Sequence, residues 1–268
     1  MELHKVRTGQ IPTWCPGCFN FQILAGVQRY FEEQLAGGKK KEDFAIVTGI
    51  GCHAKLFDYI NMPGVNTLHG RVPPTALGIK LAKPNLTVFG FSGDGDAYSE
   101  GLEHLVSAAR FNIGFKYIIH NNQVFALTLG EPTPVTEEGF KDSSNPAEVK
   151  VKPLNPIKLM LASGATFVAR VFADFNQVHE VMKEAANHRG FAFIEVIQPC
   201  LIFHNDAGYK ERFYNLQQEG HNKNDYWAAL GKAEEFDYES KSARIPLGIF
   251  FQTEEKAAFE EIKLRKKE

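Results

Sequence analysis

The sequence predicts an α/β protein with a mostly parallel sheet, helices on both faces and an irregular C-terminal extension. Two observations carry the first part. Short apolar runs at 44–49, 86–91, 116–120, 166–171 and 191–197 alternate with segments of helical periodicity. The runs are apolar almost throughout, as in strands covered on both faces, and alternation of strand and helix builds a parallel sheet. The third observation is that this rhythm stops near residue 203.

The chain has 268 residues, enough for one large domain or two small ones. We divide it into a binding domain, 1–202, and an extension, 203–268, that wraps the domain or a partner. Hydrophobic residues make up 44% and charged residues 23%, with a net charge of −2. Nothing in this balance suggests nucleic acid, and Lys39-Lys40-Lys41 reads as a solvated loop. The start, from Met1 to Thr8, is polar and unlike a signal peptide. No apolar run approaches the roughly 18 residues that span a bilayer. A cytoplasmic protein without membrane contact is expected.

In order, Pro16-Gly17 makes a tight turn between Cys15 and Cys18. A helix follows, with Phe21, Leu24, Val27, Phe31 and Leu35 at helical spacing and Gly37-Gly38 ending it. The strand 44–49 ends in Gly49-Ile50-Gly51-Cys52-His53. An irregular loop, 67–74, carries His69-Gly70-Arg71, and a helix is expected over 75–81. The strand 86–91 runs into Gly93-Asp94-Gly95-Asp96, after which Leu102, Leu105, Val106 and Ala109 share one helical face. The strand 116–120 ends at Asn121-Asn122. A polar, proline-rich surface loop is expected over 135–156, a helix from Ile157, and a strand over 166–171. Asp174 should cap the next helix with Gln177 as its capping-box partner, and Gly190 should stop it. The strand 191–197 leads to Pro199-Cys200. In the extension, 225–233 reads as a short helix and 245–251 as an edge strand.

Chemistry concentrates where these strands end. Gly93-Asp94-Gly95-Asp96 sits where a strand turns into a helix, so backbone N–H groups point at an anion site. Two aspartates there would repel a phosphate unless a cation stood between them, which suggests a diphosphate held through magnesium. Asn122 lies about 28 positions after Asp94, the length of a strand–helix–strand unit, and a right-handed crossover places the two strand ends side by side. The plainer reading is a turn with Asp96 or Ser99 capping the helix. Gly-Asp-Gly, some two dozen residues and Asn-Asn resembles the thiamine diphosphate signature.

The four cysteines are Cys15, Cys18, Cys52 and Cys200. Without an export signal, disulfides are disfavoured. Four unrelated core thiols are the plain alternative, but they leave the Cys-Pro-Gly-Cys turn and the two strand-end cysteines without a reason. Four thiolates suit tetrahedral zinc or an iron–sulfur cluster, and spacing alone does not choose. A thiamine site beside them favours the cluster, because thiamine-dependent decarboxylation is strongly reducing and zinc accepts no electrons.

Together these residues resemble the β subunit of 2-oxoacid:ferredoxin oxidoreductases. The motifs are Trp14-Cys-Pro-Gly-Cys18, Gly51-Cys52, His69-Gly70-Arg71, Gly93-Asp-Gly-Asp96, Ala108-Ala-Arg110, Asn122, Leu127-Thr128 and Pro199-Cys200. The resemblance implies the diphosphate-binding half of the thiamine diphosphate fold. It implies that Cys15, Cys18, Cys52 and Cys200 hold a [4Fe–4S] cluster, and that Asp94, Asn122 and the backbone of Val124 bind Mg2+. It also implies that Ile50, Gly51, Cys52, His53, His69, Gly70, Arg71, Gly95, Asp96, Ala126 and Leu127 belong to loops around thiamine diphosphate. His53, His69 and Arg71 are candidates for phosphate or substrate contacts, and Lys55 for one substrate carboxylate. His69 has the plainer alternative of bracing its own loop.

The implied reaction is coenzyme A-dependent oxidative decarboxylation of a 2-oxoacid, of the pyruvate or 2-oxoglutarate class, to acyl-coenzyme A and carbon dioxide. Electrons would pass through the cluster to ferredoxin. One sheet holds only half of a thiamine site, so an α (or fused γα) subunit is implied as partner. The chain departs from the family pattern at Phe19, Asn121, Leu129 and Glu131. The last two remove a lysine and add a carboxylate, which would suit a second substrate carboxylate less well. Two other readings remain open: a non-redox thiamine-dependent decarboxylase subunit, and a non-catalytic metal-binding or electron-transfer protein.

Overall fold

The computed structural model describes residues 6–141, 147–204, 210–239 and 242–265. Eight strands form one sheet: β1 (Phe44–Thr48), β2 (Gly64–Asn66), β3 (Thr87–Gly93), β4 (Phe115–Asn121), β7 (Phe167–Phe172), β8 (Ala192–Ile197), β9 (Phe213–Asn215) and β10 (Ile245–Gln252). Their order is β2-β1-β3-β4-β8-β7-β10-β9. Neighbours run parallel except β10 against β7. A two-stranded ribbon, β5 (Val124–Phe125) with β6 (Glu131–Pro132), stands apart.

Each central strand feeds two cores, one on either face. Ile46, Phe89, Phe91, Ile118 and Ile194 join one core with α1 (Asn20–Ala36), the single turn α2 (Leu56–Tyr59) and α6 (Phe175–Asn187). Val47, Val88, Tyr117, Ile119 and Phe193 join the other with α3 (Val72–Ala82), α4 (Leu102–Phe111), α5 (Pro156–Ala162) and α7 (Tyr226–Glu234). The two-residue side-chain period of a strand makes this split, and it explains runs that are apolar throughout. Helices therefore cover both faces, as the sequence predicts. A further helix, α8 (Phe259–Arg265), closes the described chain.

Several local expectations are corrected. The run 245–251 is no edge strand: β10 lies between β7 and β9, and β9 takes the edge. Helix α3 starts at Val72, before the expected 75, because Pro73 and Pro74 occupy its first turn, where a missing N–H costs nothing. Asp174 caps α6 by accepting from the amides of Asn176 and Gln177, but Gln177 is no capping-box partner. Its Oε1 accepts instead from the Phe172 amide at 3.1 Å, tying the helix to β7. The loop from 135 is not all surface, since Val135 and Thr136 are buried. Among the described residues, no helix is long and apolar enough to cross a membrane.

The chain leaves β4 by way of α5 on one face and returns from β7 to β8 by α6 on the other. The carboxyl ends of β4 and β8 thus flank a point where the topology reverses, the usual place for ligands in such sheets.

Candidate active site

Loops from the carboxyl ends of β1, β3, β4 and β8 converge on one cavity. Among its lining residues are Ile50, Gly51, His53, His69, Asp94, Gly95, Asn122, Val124, Phe125 and Gln198. Backbone and side-chain contacts hold the loops together. Gly95 has no room for a side chain, because a Cβ there would stand 2.1 Å from the Phe125 ring. The helix start after β3 is wound as a π-helical turn over Asp96–Glu100, a feature often found at functional sites.

Asp94 is the most buried acid of the cavity, at 1% exposure. Thr133 Oγ1 donates to its Oδ2 at 2.6 Å, and the Asn122 amide approaches Oδ1 at 3.4 Å. Burial pushes its carboxyl up to about 7, against the hydrogen bonds from Thr133 and Asn122. A divalent cation bound here would hold it ionised. Asn122 Oδ1 accepts from the Val124 amide at 3.1 Å, which fixes the tight turn after β4. Asp94, Asn122 and Val124 line one cavity, and their carboxylate, amide and carbonyl oxygens are donors of the kind magnesium takes.

Asp96 faces away from that set. Its Oδ1 accepts the Gly70 amide at 2.6 Å and lies 3.3 Å from His69 Nδ1. Its Oδ2 lies 3.4 Å from His53 Nε2, within ion-pair range but not aligned as a hydrogen bond. Burial would raise this carboxyl, yet His53, Ser92 and the Gly70 amide hold it below the ordinary value. Asp96 therefore braces two other loops and does not cap its own helix. His69 also sits 2.9 Å from Glu100 Oε2. Buried His120, whose Nδ1 meets Asn20 Oδ1 at 2.8 Å, is kept neutral by burial and by neighbouring His53.

The four cysteines line a second cavity that shares Cys52, Asn122, Ala126, Leu127 and Gln198 with the first. All four thiols are free. The Cys18 amide donates to the Cys15 carbonyl at 3.1 Å, closing the Pro-Gly turn, with Gly17 in left-handed backbone (φ +79°). Trp14 Nε1 donates to the Cys52 carbonyl at 2.7 Å and so ties the two cysteine loops together. Asn20 and Gln198 direct amide N–H groups at Cys18 Sγ, 3.6 and 3.8 Å away. Burial raises the Cys18 thiol and pushes Cys52 up to about 11. Among the described residues, no three His, Cys, Asp or Glu side chains stand close enough to share a single metal ion.

Of the other residues singled out by sequence, Lys55 lines the cysteine cavity and donates to the Thr13 carbonyl at 3.3 Å. Gly70 serves through its amide. Arg71 lies outside the first cavity, with Nη1 on the Glu100 carbonyl at 3.2 Å. Sequence reasoning passed over His120, Gln198, Phe125 and Thr133. The first two had a usable signal: each is polar and stands where an apolar strand ends, on the edge that binds ligands.

Two family models match the chain. One, "Thiamine pyrophosphate enzyme, C-terminal TPP binding domain", covers residues 49–196. The other describes the C-terminal part of the pyruvate ferredoxin oxidoreductase beta subunit and covers 206–266. The chain is 39% identical over 263 residues to the 2-oxoacid:ferredoxin oxidoreductase subunit beta of Saccharolobus solfataricus, spanning 92% of this chain and 84% of that one. It is 38% identical over 197 residues to the 2-oxoglutarate synthase subunit KorB of Archaeoglobus fulgidus, spanning 73% of this chain and 72% of that one. A solved 2-oxoglutarate:ferredoxin oxidoreductase from Magnetococcus marinus, with 2-oxoglutarate, coenzyme A and succinyl-CoA bound, superposes with a TM-score of 0.90 at 30% identity. That match covers 100% of this chain and 90% of the other.

Proposed function

Since the chain belongs to the β subunits of 2-oxoacid:ferredoxin oxidoreductases, we propose that its two joined cavities house thiamine diphosphate with Mg2+ and a [4Fe–4S] cluster. The observation that carries this reading is the shared wall: Cys52, Asn122, Ala126, Leu127 and Gln198 border both cavities. Electrons released in the first have a short path to the second.

Asp94, Asn122 and the Val124 carbonyl hold the metal, and the amides at the start of the helix after β3 face the diphosphate. Cys15, Cys18, Cys52 and Cys200 hold the cluster. Zinc would serve only to hold the loops, whereas a cluster can take electrons from the neighbouring cavity, which favours the cluster. The N–H groups of Asn20 and Gln198 aimed at Cys18 Sγ are of the kind that tune a cluster's potential. Thiamine diphosphate supplies the decarboxylation chemistry, and the cluster carries the electrons onward. His53 and His69, set by Asp96, line the first cavity, and Lys55, on the wall of the adjoining cysteine cavity, is the candidate for the substrate carboxylate. The rest of the site comes from an α subunit. Coenzyme A takes the acyl group, and ferredoxin takes the electrons in the cytoplasm.

The test is visible absorption of the chain purified without oxygen, before and after dithionite. A broad band that bleaches, with about four irons per chain, is the expected result. A colourless protein that takes up no iron on reconstitution would refute the cluster. Turnover should appear only on mixing with the α subunit, and turnover by this chain alone would count against the shared site.

A further inference from the structure

The C-terminal segment reaches the proposed metal loop through a buried polar network. Arg170 on β7 and Glu195 on β8 are register neighbours and both fully buried. Arg170 Nε donates to Glu195 Oε2 at 2.6 Å. Tyr238, from the segment after α7, accepts from Arg170 Nη2 at 2.5 Å and donates into the Glu195 carboxylate, 2.7 and 2.8 Å away. Asn121, the last residue of β4, donates from Nδ2 to Glu195 Oε1 at 2.7 Å. Its own Oδ1 accepts the Gln123 amide at 3.1 Å.

Two features show that this network fixes backbone. Tyr238 and Gln123, at its two ends, both have left-handed φ angles, +68° and +61°, which side-chained residues rarely adopt. The Tyr238 hydroxyl bonds hold one end, and the Asn121 bond holds the other together with Thr136 Oγ1 on the Gln123 carbonyl and Gln123 Nε2 on the Val135 carbonyl. Between them the Glu195 carboxylate meets three donor residues, so a buried charge is satisfied from every side. Asn122, flanked by Asn121 and Gln123, cannot shift unless those bonds yield.

The network also gives a reason for asparagine at 121. An amide can donate to Glu195 and accept from Gln123 at once. A carboxylate there would face Glu195 at hydrogen-bond distance with no proton between them, and like charges so close in a buried site repel strongly.

We propose that Tyr238 and Asn121 are positioning residues: through Glu195 they lock the 121–125 loop in the shape that binds the metal and diphosphate. The C-terminal segment is then part of the cofactor site without touching it. This rests on the metal site proposed above.

The test titrates thiamine diphosphate, with and without Mg2+, into the cofactor-depleted complex of this chain with its α subunit, followed by calorimetry. Tyr238→Phe removes a hydroxyl bonded to both Arg170 and Glu195 and should weaken magnesium-dependent binding at least about fivefold, with kcat at saturating cofactor changing less. Asn121→Asp should weaken it further. Thr166→Val, which removes a buried hydroxyl network at the opposite end of β7, is the stability control. It should lower Tm and leave cofactor affinity alone. If Tyr238→Phe and Asn121→Asp lower Tm but keep wild-type affinity, the network is structural only and the inference is overturned. If wild-type binding ignores magnesium, the metal site itself fails, and the inference with it.

Discussion

Gly49 lies so close to Asp96 that a Cβ on Gly49 would stand 1.8 Å from the Asp96 Oδ2 atom. Gly49 follows the last residue of β1, and Asp96 begins the helix after β3. The missing side chain lets that carboxylate pass between the two and reach the loops carrying His53 and His69. The glycine is thus required for space, not for an unusual backbone angle.

Gly49→Ala should displace the Asp96 carboxylate and loosen both histidines together. Overpacking of this kind costs about 1–3 kcal/mol of stability. Activity should fall by more than tenfold, because the geometry of the site is lost with it. Asp96→Asn offers the contrast: it keeps an acceptor for the Gly70 amide but removes the charge beside His53. We expect it to retain most of the stability and lose most of kcat. Melting curves and steady-state kinetics on the complex with the α subunit separate the two effects.

Thr133→Val should weaken the Asp94 site while leaving the fold intact. The Thr133 hydroxyl is the shortest bond to Asp94 in the cavity, and it also holds the ribbon β5–β6 near that acid. Without it the carboxylate has one donor fewer and more freedom. The magnesium needed for half-maximal activity should rise about three- to tenfold, as for a lost hydrogen bond to a charged group. An unchanged magnesium requirement would refute the role given to Thr133.

Stability on the acid side has a separate source at the other end of the sheet. Burial, with the neighbouring Lys116, lowers His188 to about 4. Its Nε2 meets Thr166 Oγ1 at 2.8 Å. The folded form keeps this ring neutral, whereas the unfolded chain protonates it below about 6.5. The unfolded state therefore binds more protons in that window, and stability falls as pH drops from about 6.5 toward 4. His188→Gln should flatten the dependence of Tm on pH between those values. A slope identical to wild type would show that other groups set the acid limb.

Much of this arrangement is legible in the chain itself. The run into Gly93-Asp94-Gly95-Asp96, the helix behind it and the strand ending at Asn122 locate the cavity, because neighbouring parallel strands must end on one edge. Cys52 and Cys200 share a cavity for the same reason, each following the end of a parallel strand. What escapes is set by distant partners. Strand β2 has three exposed residues and no pattern to betray it. β10 reads as an edge strand because Pro246 and Gly248 interrupt it, yet its neighbours are fixed by packing across the whole sheet. Asp96 looks like a helix cap or a phosphate neighbour until Gly70, some two dozen residues earlier, is seen to donate to it. The partnership of Asn121 with Glu195 spans 74 positions and leaves no local trace.

We expect substrate preference to depend on the loop after Asn122. Leu129 is exposed, has a left-handed backbone (φ +86°) and precedes Gly130, while Glu131 is occupied by the Thr128 hydroxyl at 2.8 Å. Nothing packs on the Leu129 side chain tightly enough to forbid a longer one, and its neighbours Leu127 and Thr128 line the cavity. Leu129→Lys therefore changes charge at the cavity mouth with little cost to the fold. A cation there attracts a substrate with two carboxylates more than one with a single carboxylate. A partly exposed charge pair contributes up to about 1 kcal/mol, so the ratio of kcat/KM for 2-oxoglutarate over pyruvate should rise about fivefold. The gain should shrink as salt is added, since the attraction is screened. A ratio that stays put at low salt would remove Leu129 from the determinants of specificity and leave Lys55 and the α subunit to set it.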